Sequence, residues 1–70
     1  MIKCNLRILM AEHKVDDISQ LMKMSGLSRN SINKLYKEED ISSIKIDTLI
    51  KLCNVFKCNL STLIDYIPAD

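Results

Sequence analysis

The 70-residue chain has one glycine, one proline and no tryptophan. So few chain-breaking residues argue against a sheet protein, which needs many tight turns, and favour packed helices. No apolar run in the sequence approaches the roughly 18–20 residues that a membrane span requires. The first residues also lack the long apolar stretch of a secretion signal. We therefore expect a cytoplasmic protein with no membrane partner.

Residues that bind metals or act as nucleophiles are scarce as well. The chain has a single histidine, His13, and three cysteines, Cys4, Cys53 and Cys58. A structural zinc ion usually takes four protein ligands at a recognisable spacing, which this sequence lacks, so we expect neither a metal nor a cofactor. The cysteines are interpreted as small apolar residues that help to fill the core. His13 has no evident nucleophile partner and there is no glycine-rich phosphate loop, so the sequence predicts no enzymatic activity.

The hydrophobic content of 47% is enough for one core, in one domain over residues 1–70. Apolar residues recur at helical spacing throughout. They predict an all-α domain with helices at about residues 2–13, 18–24, 29–37, 46–56 and 60–66.

Two apolar stripes are expected to face the core from the last two helices. They comprise Ile46, Leu49, Ile50, Cys53 and Phe56 in the fourth helix, and Leu60, Leu63, Ile64 and Ile67 in the fifth. Asn59 is the expected cap of the fifth helix, and Pro68 is expected to end it. Val55 falls nearly opposite Ile46 on the fourth helix, so we expect it to be exposed.

The second and third helices have clear boundary signals. Asp17 is a favourable N-cap, with Gln20 three residues later as in a capping box. Gly26 stands just past the second helix, where a left-handed residue usually closes the helix. Ser28 is the expected cap of the third helix, which would begin at Arg29. Two short helices joined by a glycine-centred turn are typical of a helix-turn-helix.

The third helix has a polar face without acidic residues. With Ile32 and Leu35 pointing inward, a step of about 100° per residue leaves another set of side chains pointing outward. This set is Asn30, Asn33, Lys34 and Lys37, with Arg29 on the flank. Arginine and lysine suit guanine acceptors or phosphate, and asparagine suits adenine. The other interpretation is an ordinary solvated face, but the glycine-centred turn favours DNA.

The segment at residues 17–36 resembles the lambda-repressor-like, Cro-type helix-turn-helix of the xenobiotic-response-element family. Its most specific part is Gly-Leu-Ser-Arg-Asn-Ser-Ile, at residues 26–32. The segment at residues 47–68 looks like a compact subgroup that ends soon after the fifth helix. The resemblance implies a five-helix domain that binds double-stranded operator DNA, usually as a dimer, with the third helix in the major groove. A contact through helices four and five is our hypothesis for such a homodimer.

The same resemblance implies a role for individual residues of the third helix. The positions that usually contact bases are occupied here by Arg29, Asn30, Asn33 and Lys34. The positions that usually face phosphate are occupied by Ser28, Ser31 and Lys37. Gly26 occupies the structural turn between the two helices.

Three departures from the family pattern affect these expectations. Met22 stands where alanine is common at the close approach of the two helices, and Lys45 stands where the fourth helix commonly has a serine-like cap. Glu38, Glu39 and Asp40 follow the recognition helix, where the family often has a basic turn. These acids could face DNA and repel it, or they could point away, discourage non-specific binding or contact a protein.

Two functions are therefore open at this point. One is a sequence-specific transcriptional regulator, expected to be a repressor. The other is an antitoxin or protein-interaction module on the same fold, with weak or no DNA binding. The net charge of only +1 and the acidic loop favour the second, whereas the acid-free face of the third helix favours the first.

Overall fold

The computed structural model describes residues 2–69, as five helices and one small antiparallel sheet. The strands are β1 (Ile2–Cys4) and β2 (Ile64–Tyr66). The helices are α1 (Leu6–Glu12), α2 (Ile18–Ser25), α3 (Arg29–Tyr36), α4 (Ile46–Phe56) and α5 (Leu60–Leu63). A single 3-10 turn, Ile41–Ser43, lies in the loop between α3 and α4. The fold is predominantly helical, as predicted.

The sheet corrects the predicted bounds of the first and fifth helices. Strand β1 pairs with β2 in the register Ile2↔Tyr66, Lys3↔Asp65 and Cys4↔Ile64. Helix α1 therefore begins four residues later than residue 2, and α5 ends three residues before residue 66. In β1 the two outer residues are half-buried and the central one is exposed, which is the two-residue period of a strand. Short end segments thus satisfy their backbone groups by pairing with each other.

Within residues 2–69, eleven apolar side chains from the five helices and the loop after α1 form the core. They are Leu6, Leu9, Met10, Val15, Leu21, Ile32, Leu35, Leu49, Leu52, Phe56 and Leu63. Helix α4 therefore faces the core with Leu49, Leu52 and Phe56, which are spaced by three and four residues.

The predicted stripes of the last two helices were partly wrong. Ile46 and Ile50 are 61% and 50% exposed because the buried face of α4 is centred on Leu52 instead. Leu60 and Ile67 are likewise exposed, since α5 is only one turn long and the chain then becomes a strand.

The smaller expectations about α4 and α5 had mixed outcomes. Val55 is half-buried and packs against the core rather than being exposed. Asn59 is the N-cap of α5 but its side chain makes no capping hydrogen bond. Lys45 precedes α4 without a side-chain cap, because its ammonium group has no acceptor for the free N–H groups. Strand β2, and not Pro68, ends α5.

Candidate nucleic-acid interface

Helix α2 begins with the predicted capping interactions. The Asp17 carboxylate accepts a hydrogen bond from the backbone N–H of Gln20 at 2.8 Å. The Gln20 side chain accepts one in return from the N–H of Asp16 at 3.2 Å, one residue before the cap itself. The Gln20 N–H, which the helix start would leave unpaired, is thereby satisfied, and so is the Asp16 N–H just before the helix. The cap fixes where α2 begins, at the edge of the candidate interface.

Gly26 closes α2 in the left-handed conformation, with φ of 74°. Its N–H donates to the Met22 carbonyl at 2.9 Å. Ser25 adds a contact that the sequence analysis missed: its hydroxyl donates to the Leu21 carbonyl at 2.7 Å and accepts from the Leu27 N–H at 3.2 Å. The turn therefore has its own hydrogen bonds and holds a defined shape.

The angle between α2 and α3 is set by buried side chains. Leu21 on α2 and Ile32 on α3 are fully buried, and Leu35 is 1% exposed. Met22 is half-buried and packs against the edge of this core. A larger residue than alanine is accommodated here because it reaches the surface. Helix α3 is thus anchored on one side, and its other side is free to face a ligand.

Helix α3 begins at Arg29, as predicted. The Ser28 hydroxyl accepts from the Ser31 N–H at 3.3 Å and donates to the Ser31 hydroxyl at 3.1 Å. The two serines expected at phosphate positions therefore lie side by side at the N-terminus of α3. Unpaired N–H groups and the helix dipole favour an anion at such a point. The helix ends at Tyr36, with Lys37 as its C-cap.

Arg29 is exposed, and it is held in place by α2. Its Nη2 donates to the Ser19 hydroxyl at 2.8 Å. A cleft of about 370 Å³ adjoins the pair, and Asp16 and Asp17 are among its lining residues. The hydrogen bond links the first turn of α2 to the first residue of α3. Ser19 was missed by the sequence analysis, because only the folded chain brings it to Arg29.

The remaining predicted contact residues share a second cleft, of about 240 Å³. It is lined by Asn30, Asn33, Lys34, Lys37, Glu39 and Asp40. The Lys34 ammonium donates to the Ser43 hydroxyl at 3.4 Å, and that hydroxyl donates to the Asp40 carbonyl at 2.8 Å. Lys34 and Asn33 are half-buried, whereas Asn30 and Lys37 are exposed. The predicted base-contact side chains of α3 therefore fall into two groups, with Arg29 near α2 and the rest near the loop.

The three acids after α3 point in different directions. Glu38 accepts a hydrogen bond from the Cys4 N–H of β1 at 3.0 Å, whereas Glu39 and Asp40 line the cleft beside α3. Left-handed backbone at Glu38 (φ 55°) and Asp40 (φ 51°) turns the chain between these directions. Burial raises the pKa of the Cys4 thiol, and the nearby Glu38 carboxylate raises it further. Of these three acids, Glu39 and Asp40 are therefore the two placed to affect a ligand on α3.

Arg7 on α1 contacts the C-terminal end of α3. Its Nε donates to the Tyr36 carbonyl at 2.9 Å, and its guanidinium lies 4.5 Å from the centre of the Tyr36 ring. A cation at the C-terminus of a helix is favourable for the helix dipole, and stacking on an aromatic face adds to the attraction. The sequence analysis missed this role, since no local pattern links residues so far apart in the chain.

A family model for the Cro/C1-type helix-turn-helix DNA-binding domain matches residues 5–69. The chain belongs to this family. A Cro/C1-type domain is a DNA-binding regulator, and the family is not an enzyme family. No significant match is found among curated proteins or among solved structures.

Among residues 2–69, no cluster of three or more metal-binding side chains occurs. Over the same described part of the chain, no helix has the length and apolar character to cross a bilayer.

Proposed function

We propose that this Cro/C1-type domain is a sequence-specific transcriptional repressor that inserts α3 into the major groove of operator DNA. The observation that carries the proposal is the outward face of α3. This face has cations and carboxamides and no acid of its own, and it lies on a helix anchored from behind by Ile32 and Leu35. A helix with such a face fits the width of the major groove and the hydrogen-bonding groups of its base edges.

Each side chain of this face has a proposed role. Arg29, Asn30, Asn33 and Lys34 contact bases, and Ser28, Ser31 and Lys37 contact phosphate. Arg29 suits the two acceptors of guanine, and Asn30 suits the donor–acceptor pair of adenine. Lys37 lies exposed at the far end of α3, where a flexible ammonium can reach the phosphate backbone.

A homodimer is the second part of the proposal. Ile46 and Ile50 lie one turn apart on α4 and are exposed, as is Leu60 on α5. Exposed apolar side chains on neighbouring elements support a protein contact there. A contact between two copies would bury these residues and place two copies of α3 on successive turns of the duplex.

Selection from random duplex DNA is the experiment that tests the proposal. We expect an enriched palindrome with half-sites about one helical turn apart, which is 10–10.5 base pairs. A reporter gene carrying that sequence should be repressed by the full chain. Recovery of no sequence preference would contradict specific recognition, and activation of the reporter would contradict repression.

The dimer is tested by sedimentation with and without the selected duplex. An Ile50→Glu substitution should convert the dimer to a monomer, because it introduces charges into the proposed contact. Ile8→Glu is the matched control, because Ile8 is 57% exposed on α1, outside α4 and α5. A monomer in every condition, or equal dissociation by both substitutions, would refute the contact through α4 and α5.

A protein-interaction module with weak or no DNA binding is the alternative that one observation favours. Glu39 and Asp40 share a cleft with Asn30 and Lys37. The negative charges of the two acids oppose the approach of phosphate. Titration of a random duplex at about 50 mM salt distinguishes the two functions. For the regulator we expect non-specific binding with a Kd of about tens of micromolar or lower. Absence of such binding would support the interaction module.

A further inference from the structure

A tight turn at the C-terminal end of α4 places two cysteines near each other. Lys57 adopts the left-handed conformation, with φ of 52°, and its N–H donates to the Cys53 carbonyl. The N–H of Cys58 donates to the same carbonyl at 3.1 Å. At a helix end of this kind, the side chain just past the turn commonly packs against a side chain in the last helical turn. Here those side chains are the thiols of Cys53 and Cys58.

The same turn places the two cysteines next to each other, because both of its backbone hydrogen bonds end on the Cys53 carbonyl. Both residues are half-buried. Burial raises the pKa of the Cys53 thiol, and the neighbouring Cys58 raises it further. Cys4, the third cysteine, lies on β1 and is not part of this turn. The fold therefore brings together two thiols that the sequence analysis treated as separate core residues.

We propose that Cys53 and Cys58 form a redox site that closes reversibly to an intramolecular disulfide by exchange with a low-molecular-weight disulfide. One thiolate attacks the small disulfide, which forms a mixed disulfide and releases one small thiolate. The second cysteine loses its proton to solvent, attacks the mixed disulfide at the protein sulfur, and releases the second small thiolate. The protein loses two protons and two electrons, and the small disulfide takes them up to become two thiols. This site does not depend on the proposed DNA contacts.

The closed site would join the last turn of α4 to Cys58, the residue before the N-cap of α5. Only four residues separate the two cysteines, so the ring is small and its geometry is set by the turn at Lys57. A disulfide forms most readily where the folded chain already holds its two sulfurs close together. The folded chain should therefore favour the bond more strongly than the unfolded chain does.

The test uses the full chain incubated with glutathione disulfide and then alkylated under denaturing conditions. We expect a mass loss of about 2 Da and one remaining alkylatable thiol, with full reversal by dithiothreitol. Trypsin cleaves after Lys51 and Lys57 and separates the two cysteines, so the bond should link the peptides of residues 52–57 and 58–70. The Cys4→Ser variant should form the same disulfide and leave no alkylatable thiol, and Cys53→Ser should not form it.

Redox titration in native buffer and in urea adds a measurement that does not depend on any substitution. The equilibrium constant for the internal disulfide should be about tenfold higher in the folded chain, a difference of about 30 mV in potential. An equal or smaller constant in the folded chain would overturn the proposal. So would products limited to glutathione adducts, or disulfides that include Cys4.

Discussion

Replacing Gly26 with alanine perturbs the helix-turn-helix at one backbone position. Gly26 has φ of 74°, in the left-handed region, and a Cβ atom added there would meet nothing within 4 Å. The cost of Gly26→Ala is therefore conformational and not steric. Left-handed backbone costs an L-residue about 1–2 kcal/mol, and part of this is offset because alanine restricts the unfolded chain. We expect a net loss of about 1 kcal/mol in the free energy of unfolding.

Thermal unfolding followed by circular dichroism measures this loss. A domain of 70 residues has an unfolding entropy of about 0.15 kcal/mol/K, so a loss of about 1 kcal/mol lowers Tm by about 7 °C. Gly26→Asn is the matched control. Asparagine adopts left-handed backbone more readily than alanine does, so its Tm should lie between the two.

Two results would refute this reasoning. A loss above about 3 kcal/mol for both variants would mean that a side chain at Gly26 clashes with its surroundings, since backbone strain alone is too small. An unchanged Tm for alanine would mean that residue 26 is not held in the left-handed conformation. In that second case the turn between α2 and α3 would not have the shape described above.

Three further predictions concern stability and DNA binding. Lys57 is also left-handed, with φ of 52°, a conformation that carries no steric cost for glycine. Lys57→Gly should therefore raise the free energy of unfolding by about 1 kcal/mol in the same thermal assay. A lower Tm would contradict this. Arg29→Ala should weaken binding to the selected operator by about 1–3 kcal/mol and relax specificity at one base pair, as measured by anisotropy on single-base variants. Equal weakening on every sequence would instead indicate a phosphate contact. Replacing Glu39 and Asp40 with their amides should tighten DNA binding by about twofold for each charge removed, at moderate salt. The control is Glu38→Gln, which should leave DNA affinity unchanged because Glu38 faces β1. If all three substitutions changed the affinity equally, the direction in which each acid points would not influence DNA binding.

The elements that carry the helix-turn-helix could be predicted from the sequence because their signals are local. Asp17, Gly26 and Ser28 mark helix ends within three or four residues of the groups they cap. The same local rules identified Ile32 and Leu35 as the buried side of α3, and both are buried. The family is confirmed as Cro/C1-type. The roles of individual residues in DNA binding stay predictions.

The sheet could not be predicted from local signals. Its strands are three residues long and lie at opposite ends of the described chain, and helical spacing continues into both segments. The contacts Arg29–Ser19 and Arg7–Tyr36 join different helices, so they depend on the tertiary fold. The exposure of Ile46 and Ile50 was also missed, because a stripe of apolar residues predicts a helix more reliably than it predicts which flank is buried.

The pairing of Ile2 with Tyr66 also affects the order in which the chain can fold during synthesis. Contacts between residues far apart in sequence form slowly, because a long loop must close before they are made. Helices α2 and α3 are adjacent in the chain and can pack as soon as both have left the ribosome. Strand β1 is made first but has no partner until β2 emerges. We therefore expect the helix-turn-helix to be assembled before the sheet closes, so that the backbone amides of β1 are the last to be protected from hydrogen exchange.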